Sequence, residues 1–309
     1  MNRWQPGADD EALRQRAALL ADIRSFFAAR HVLEVDTPLL CTSGITDPSL
    51  EPLLVEQGSS VTATRYLQTS PEYAMKRLLA AGSGPIYQIA HAFRDDESGR
   101  RHNPEFTLLE WYRVGIDYNA LMNECMELLF VLLPEGKLCR GGRTIDLTMP
   151  WQKLTVTEAF TQYASMDLNQ ALASDCFEEI LTSEVEPHLG KEKPTFLTEY
   201  PSSLAALARS KPGEPQFAER FELYIDGLEL ANAFSELTDP EEQRCRFEKD
   251  EELRRTAGKT PYPLPEKFLA ELENMPEAAG IALGLDRLIM LITEAEKIDD
   301  VVAFGPDDL

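Results

Sequence analysis

The chain has 309 residues, 43% hydrophobic and 8% aromatic, which is enough to bury a large core and excludes a disordered chain. Against 30 Lys and Arg stand 53 Asp and Glu, and the net charge of −23 makes a long phosphate backbone a poor partner, because such binding is carried by basic patches. Cys41, Cys125, Cys139, Cys176 and Cys245 form no CxxC pair and are odd in number, which speaks against a disulfide framework and for reduced thiols in a cytoplasm.

The N-terminal MNRWQPGADDEALRQR is acidic from Asp9 onward and carries neither a signal nor a transit signature. No apolar stretch nears the ~20 residues that span a bilayer. Asp9 and Asp10 supply a cap for a helix to Arg30, in which Leu13, Ala17, Leu20, Ile23 and Phe27 recur at helical spacing. His31 to Pro38 (HVLEVDTP) alternates as a strand does, and its closing proline belongs at a sheet edge or an interface. Ser70, with Pro71 at the first helical position, opens a helix through Met75, Leu78 and Leu79. IYQIAHAF, from Ile86 to Phe93, reads as a buried strand that delivers Arg94. From there FRDDESGRRHNPEFTLLEWYR crosses a charged loop and re-enters an alternating strand. Arg94 offers a planar fork of donors to phosphate oxygens, and Phe106 offers an aromatic face on which adenine can stack.

The middle third is plainer. It predicts a helix from about Ala120 to Leu133, a turn at Gly141 and Gly142, and helices near Thr157 to Ala164 and Asp175 to His188. Asp146 to Gly190 is expected to be supporting structure without chemistry. In RFELYIDGLELANAFSEL, Asp226-Gly227 between two apolar runs marks a hairpin, and the helix after it is capped by Thr238 or Asp239 with Pro240 in its first turn. GIALGLDRLIML closes the pattern as a strand that becomes an apolar helix at Asp286. His31, His91, His102 and His188 are not spaced as ligand pairs, so zinc is not expected and any metal would be oxygen-ligated. The economical architecture is α+β: one domain over residues 1–309, an antiparallel sheet flanked by helices.

Arg94 and Arg287 both fall at strand edges, while Glu229 and Glu236 lie on the hairpin and its exit. This combination resembles the catalytic core of class II aminoacyl-tRNA synthetases. HVLEVDTP is similar to motif 1, the stretch beginning FRDDE to motif 2 and GLDRLIML to motif 3, while SPEYAMKR, RHNPEF and LELANAFSEL resemble the lysyl branch. The resemblance implies ATP as a substrate, with Arg94 on the α-phosphate and the amino-acid carboxylate, Arg287 on the γ-phosphate and Phe106 on adenine. Asn103 and Gly284 would shape that pocket, and Asp95, Asp96, His102 and Leu230 complete the implied ATP site. Glu229 is implied for Mg2+ on the phosphates, with Glu236 as a further metal candidate. Ser70, Pro71, Glu72, Tyr112, Glu236 and Ala282 are the implied amino-acid contacts: Glu72 would pair with the backbone-type amine, and Glu236 and Tyr112 would read the terminal amine.

Lysyl-tRNA synthetases carry an anticodon-binding domain ahead of motif 1, and a motif 1 that begins near His31 leaves no room for one. A free-standing lysyl-type core of this length resembles the elongation factor P-(R)-β-lysine ligase family. That likeness implies activation of lysine or β-lysine as an adenylate, elongation factor P as the acceptor, and a homodimer built on Asp10 to Arg30 and Pro38. Neither tRNA nor a membrane is implied as a partner. Ala282 stands where tRNA-charging lysyl enzymes usually have glycine, and its methyl group is expected to disfavour α-lysine relative to a β-amino acid. Asp95 and Asp96 follow Arg94 where the family often shows Asn and Glu, which leaves the carboxylate toward the adenine amine one methylene shorter. An aspartate-ammonia ligase would ask for a cation where the chain offers Glu72 and Glu236. An inactive regulatory paralogue would have no need of both Arg94 and Arg287.

Overall fold

In the computed structural model, which describes residues 6–56, 64–95 and 97–306, the alternating segments pair into one eight-stranded sheet. Its strands are β1 (Leu33–Glu34), β2 (Ile86–Phe93), β3 (Glu105–Val114), β4 (Gln152–Thr155), β5 (Thr195–Thr198), β6 (Arg220–Ile225), β7 (Leu228–Ser235) and β8 (Ala278–Gly284). They lie side by side in the order β1-β2-β3-β8-β7-β6-β5-β4. The helices around it are α1 (Asp10–Ala29), α2 (Glu72–Ala80), α3 (Tyr118–Leu132), α4 (Val156–Tyr163), α5 (Leu168–Ala173), α6 (Phe177–Ile180), α7 (Pro240–Thr256), α8 (Glu266–Glu271) and α9 (Leu285–Ile292). The architecture is α+β, as expected.

From β2 across to β5 every neighbouring pair is antiparallel, but both edge pairs, β1 with β2 and β4 with β5, run parallel. A tight turn cannot join parallel neighbours. The crossovers here contain α2 in one case and α4 to α6 in the other.

Alternation gives the sheet two unlike faces. Leu109 and Trp111 of β3, Ile281 and Leu283 of β8, Ala231 and Ala233 of β7 and Phe221 and Leu223 of β6 point into the main core. There they meet Leu19, Ile23, Phe26 and Phe27 of α1, Leu121, Cys125 and Leu128 of α3, and Leu285, Leu288 and Ile289 of α9. Trp111 is fully buried; cutting such a side chain back to alanine costs ~3 to 5 kcal/mol. The opposite face carries the polar residues of the same strands.

Local chemistry explains most element ends. The Asp9 side chain accepts from the Ala12 N–H at 2.8 Å and starts α1, and Asp239 caps α7 with Pro240 at its first position. Asp226 and Gly227 take φ of 55° and 69° between Ile225 and Leu228, the left-handed pair that a two-residue hairpin requires.

Three segments depart from expectation. The predicted strand from His31 to Pro38 is hydrogen-bonded as strand only at Leu33–Glu34, with one more bond from Val35 N–H to the Tyr87 carbonyl, before Pro38, which has no N–H, ends it. Pro71 is the cap residue of α2 and not its first helical residue; Glu72 holds that place. The predicted helix over Asp175 to His188 breaks into α6, a π turn at Leu181–Val185 and a 3-10 turn at Glu186–His188, where Pro187 cannot donate to a continuing helix. This middle region has its own core, with Phe160, Phe177, Val185 and Leu197 packed around Tyr200 and Tyr224.

Candidate active site

Strand register sets a polar line across the ligand face. Gln88 of β2 pairs with Glu110 of β3, Glu110 with Ala282 of β8, Ala282 with Asn232 of β7, and Asn232 with Glu222 of β6. Two residues along β8 in either direction lie Gly280 and Gly284, so the floor of the site is the low ridge Gly280-Ala282-Gly284.

At the Gly280 end lies an anionic cup. Glu110 is buried, and its two carboxylate oxygens accept from Tyr112 Oη at 2.6 Å and Ser70 Oγ at 2.8 Å. Ser70 Oγ also accepts from the Glu72 N–H at 3.0 Å, which sets the first turn of α2. Lys76, one turn further along α2, has its Nζ 2.5 Å from Glu72 Oε1 and 2.5 Å from Glu236 Oε2. Burial pushes Glu110 up to about 7, with the Glu72 charge adding to it. Burial likewise pushes Glu236 up to about 8 against the pull of Lys76. Burial alone would lower the Lys76 ammonium, but the Glu236 and Glu72 charges outweigh it and hold its pKa above the ordinary value. Burial also raises the Tyr112 phenol well above its usual range, so Tyr112 is a neutral donor.

At the Gly284 end the two arginines converge. Arg94 follows β2, its Nη1 donates to Glu97 Oε1 at 3.3 Å, and its guanidinium carbon lies 5.0 Å from the centre of the Phe106 ring. Arg287, in the first turn of α9, donates from Nη1 to the Glu229 carbonyl at 2.8 Å and to Glu229 Oε2 at 3.3 Å. Its Nη2 stands 2.5 Å from His102 Nε2. Burial, and then the charge of Arg287, hold His102 below its usual pKa, with Arg94 acting in the same sense. Both guanidinium groups therefore lie near enough for their charges to act on the imidazole. Asn103 is buried and donates from Nδ2 to Asp299 Oδ1 at 3.2 Å, and the Asp95 N–H donates to the Glu51 carbonyl at 2.8 Å. Asp96 lies outside the described residues.

A bulge explains how Glu229 comes to face this end. β7 carries one extra residue against β6, since Leu223 pairs with Ala231 but Tyr224 pairs with Glu229. Leu230 and Ala231 consequently both point into the core, and alternation resumes with Glu229 on the ligand face. Leu230 is 2% exposed, so its side chain is not available to a ligand.

The metal assignments separate. Glu229 and Glu236 stand at opposite ends of β7, about 20 Å apart at the rise of an extended chain. They do not share one ion, and Glu236 already has Lys76 as its cation. The carboxylates near Glu229 are Glu222 on the adjacent strand and Glu186. Burial, and then the Glu229 and Glu222 charges, raise Glu186 to about 7, and burial raises Glu222 against the pull of Arg220, which pairs with its Oε1 at 2.6 Å, with the Glu229 charge adding to the rise. Such a crowd of hard oxygens fits a divalent cation, which would relieve the repulsion. Among the described residues no group of three or more ligating side chains is arranged to hold a metal unaided. A divalent cation at this position would draw its remaining ligands from phosphate oxygens and water.

Residues 7–308 match the tRNA synthetases class II (D, K and N). The chain belongs to this family. It is 45% identical to the elongation factor P–(R)-β-lysine ligase of Edwardsiella ictaluri (strain 93-146), over 99% of this chain and 98% of that protein. The like-named ligase of Erwinia tasmaniensis is 45% identical over 98% of each chain, and that of Haemophilus influenzae (strain PittGG) 43% identical over 100% of this chain and 99% of the other.

Several residues of this synthetase core were not singled out by sequence reasoning. Glu110 has the strongest claim, being the shared acceptor of Ser70 and Tyr112. Its signal was available, because a glutamate two residues before Tyr112 on one strand must share its face. Lys76 was hidden inside an amphipathic helix and Asn232 by the bulge, whereas Glu222 was readable from its alternation with Phe221 and Leu223. Glu186 was missed because the middle region reads as plain helix, yet the Tyr224 hydroxyl donates to it at 3.1 Å.

Proposed function

We propose that this protein uses ATP to activate a lysine-type amino acid, (R)-β-lysine, as an aminoacyl adenylate and transfers the acyl group to a lysine amine of elongation factor P. The observation that carries the reading is the pairing, along one ridge, of an anionic cup with a cleft to which Arg94 and Arg287 both contribute. A diamino acid lies with its amines toward Glu72, Glu110 and Glu236 and its carboxylate toward Arg94.

In the first step a carboxylate oxygen attacks the α-phosphorus, the bond to the β-phosphate bridge breaks, and pyrophosphate leaves with the bonding pair. Arg94 neutralises charge at the reacting centre; a charge-assisted contact of this kind is worth ~1.5 to 3 kcal/mol, or roughly tenfold to 150-fold in rate. Arg287, braced by Glu229 and His102, holds the far end of the triphosphate, and Phe106 stacks on adenine. Mg2+, when bound, supplies charge neutralisation on the phosphates, and Glu229 and Glu222 are the residues that would hold it. In-line displacement then needs positioning more than a protein base. In the second step the acceptor amine attacks the acyl carbon, the bond to AMP breaks, and the new amide gives up its extra proton to water.

The aspartate-ammonia ligase reading fares worse, because Lys76, the cation it would need, is already shared by Glu72 and Glu236. The protein is further proposed to work in the cytoplasm as a homodimer and without tRNA, as a single synthetase-like domain. The chain spans nearly the full length of its ligase relatives. The decisive test is the intact mass of elongation factor P after incubation with this protein, ATP and either lysine isomer. A mass increase of one β-lysyl residue is expected, and an unmodified acceptor with both isomers would refute the reading.

A further inference from the structure

Lys76 is a fully buried cation in the cup. Its side chain has no exposed surface, and the Phe234 and Phe268 rings lie 5.1 and 5.9 Å from its Nζ. It reaches Glu72 because the two are four residues apart on α2, and Glu236 because that residue leaves the end of β7 opposite. A purely structural buried ion pair satisfies its remaining lone pairs, since an unfilled one is costly. This one does not: neither Glu236 oxygen has a hydrogen-bond partner, and while Oε2 has the Lys76 ammonium beside it, Oε1 faces Gly280 and the Tyr112 ring. The unfilled acceptor points along the ligand ridge. Glu72, Glu110 and Glu236 against Lys76 also leave an excess of two negative charges when all are ionised, which matches the two ammonium groups of a diamino acid.

We propose that Lys76 is a positioning residue for the amino acid, a fixed ammonium that occupies the inner oxygens of Glu72 and Glu236 and leaves their outer oxygens for the substrate's two amines. The inference rests on the reading that the cup receives a lysine-type substrate. A guest ammonium cannot enter between the two carboxylates, where it would meet Lys76 at contact distance. Its amines are held instead at a spacing fixed by the protein. Without Lys76 the two carboxylates repel, turn away and lose that spacing.

The test is amino-acid-dependent pyrophosphate exchange with the full chain, using lysine and β-lysine. Lys76→Ala is expected to raise KM for the amino acid by about thirtyfold or more, as truncation of one partner of a buried charge pair does, with KM for ATP held within about twofold. Added ethylammonium should restore the amino-acid KM, whereas ethanol at the same concentration should not, because the missing element is a cation and not volume. An unchanged amino-acid KM, or equal restoration by ethanol, overturns the proposal. If Lys76→Ala does not fold, Lys76→Met, which keeps most of the volume and removes only the charge, replaces it: a raised amino-acid KM with an ATP KM held within about twofold supports the proposal, and a wild-type amino-acid KM overturns it. Absence of exchange in the wild type with both isomers would end the proposed function and this inference with it. Exchange in the wild type with an unaffected variant ends this inference alone.

Discussion

Gly280 fixes how near the substrate can come to the back of the cup, because a Cβ there would run into Glu236 Oε1 and the Tyr112 ring. Gly280→Ala should therefore raise the amino-acid KM and cost ~1 to 3 kcal/mol of stability through overpacking; thermal unfolding beside exchange kinetics checks both, and a variant with native KM would refute the assignment. Ala282 is the neighbouring step of the ridge, and Ala282→Gly should relax the preference for β-lysine over α-lysine, measured as the ratio of their kcat/KM values in exchange. Protonation supplies a third expectation. Burial holds Glu110 at about 7 and Glu236 at about 8, above the ordinary 4.5, so near pH 7 both retain part of a proton in the empty protein. Their contribution to stability is complete below about pH 4.5 and is lost as the pH rises through 7 to 8. Ammonium groups favour the ionised forms, so amino-acid binding near pH 7 should release protons, seen as a binding enthalpy that changes with the ionisation enthalpy of the buffer. An enthalpy independent of buffer would contradict it. At this scale the sequence was legible where a residue stands beside a strand end or a turn, as Arg94, Glu229 and Arg287 do. It was silent about Lys76, whose spacing fits a surface ion pair equally well and whose burial depends on Glu236 arriving from 160 residues away.

Elements add a coupling that no motif announced. Arg16 of α1 donates from Nη1 to Asp286 Oδ1 at 2.5 Å and from Nη2 to Thr107 Oγ1 at 2.7 Å, and the Thr107 N–H donates to Asp286 Oδ2 at 2.7 Å. Asp286 precedes Arg287 and Thr107 follows Phe106, so one buried junction ties α1 to both ends of the nucleotide cleft. Arg16→Met leaves the Asp286 carboxylate buried and without its cation, a loss of ~3 to 5 kcal/mol. KM for ATP should rise while KM for the amino acid stays nearly constant, and parallel rises in both would sink the idea. The hairpin at Asp226-Gly227, the capped α1 and α7, and the strands flanking Arg94 were readable because turn and cap chemistry is local. The bulge at Leu230 and the broken helix before Gly190 were not. A bulge is decided by which strand pairs with which, and the π turn lies in a run whose spacing also suits a regular helix.

For the whole molecule, Leu33, Leu39 and Leu40 are 56%, 39% and 43% exposed, apolar surface of the kind a second copy would cover. Sedimentation at micromolar concentration should give twice the 34.7 kDa of one chain, and a species of 34.7 kDa would overturn the homodimer. The strand order has another consequence. β8, which carries the whole ridge, is made from residues 278–284 yet sits at the centre of the sheet between β3 and β7. Until residues 278–284 have been synthesised, a nascent chain therefore holds two half-sheets with bare inner edges, the arrangement most prone to mispairing. The halves can close on their keystone only once that strand has been made, so until then the nascent chain is left in need of a guardian on its open seam.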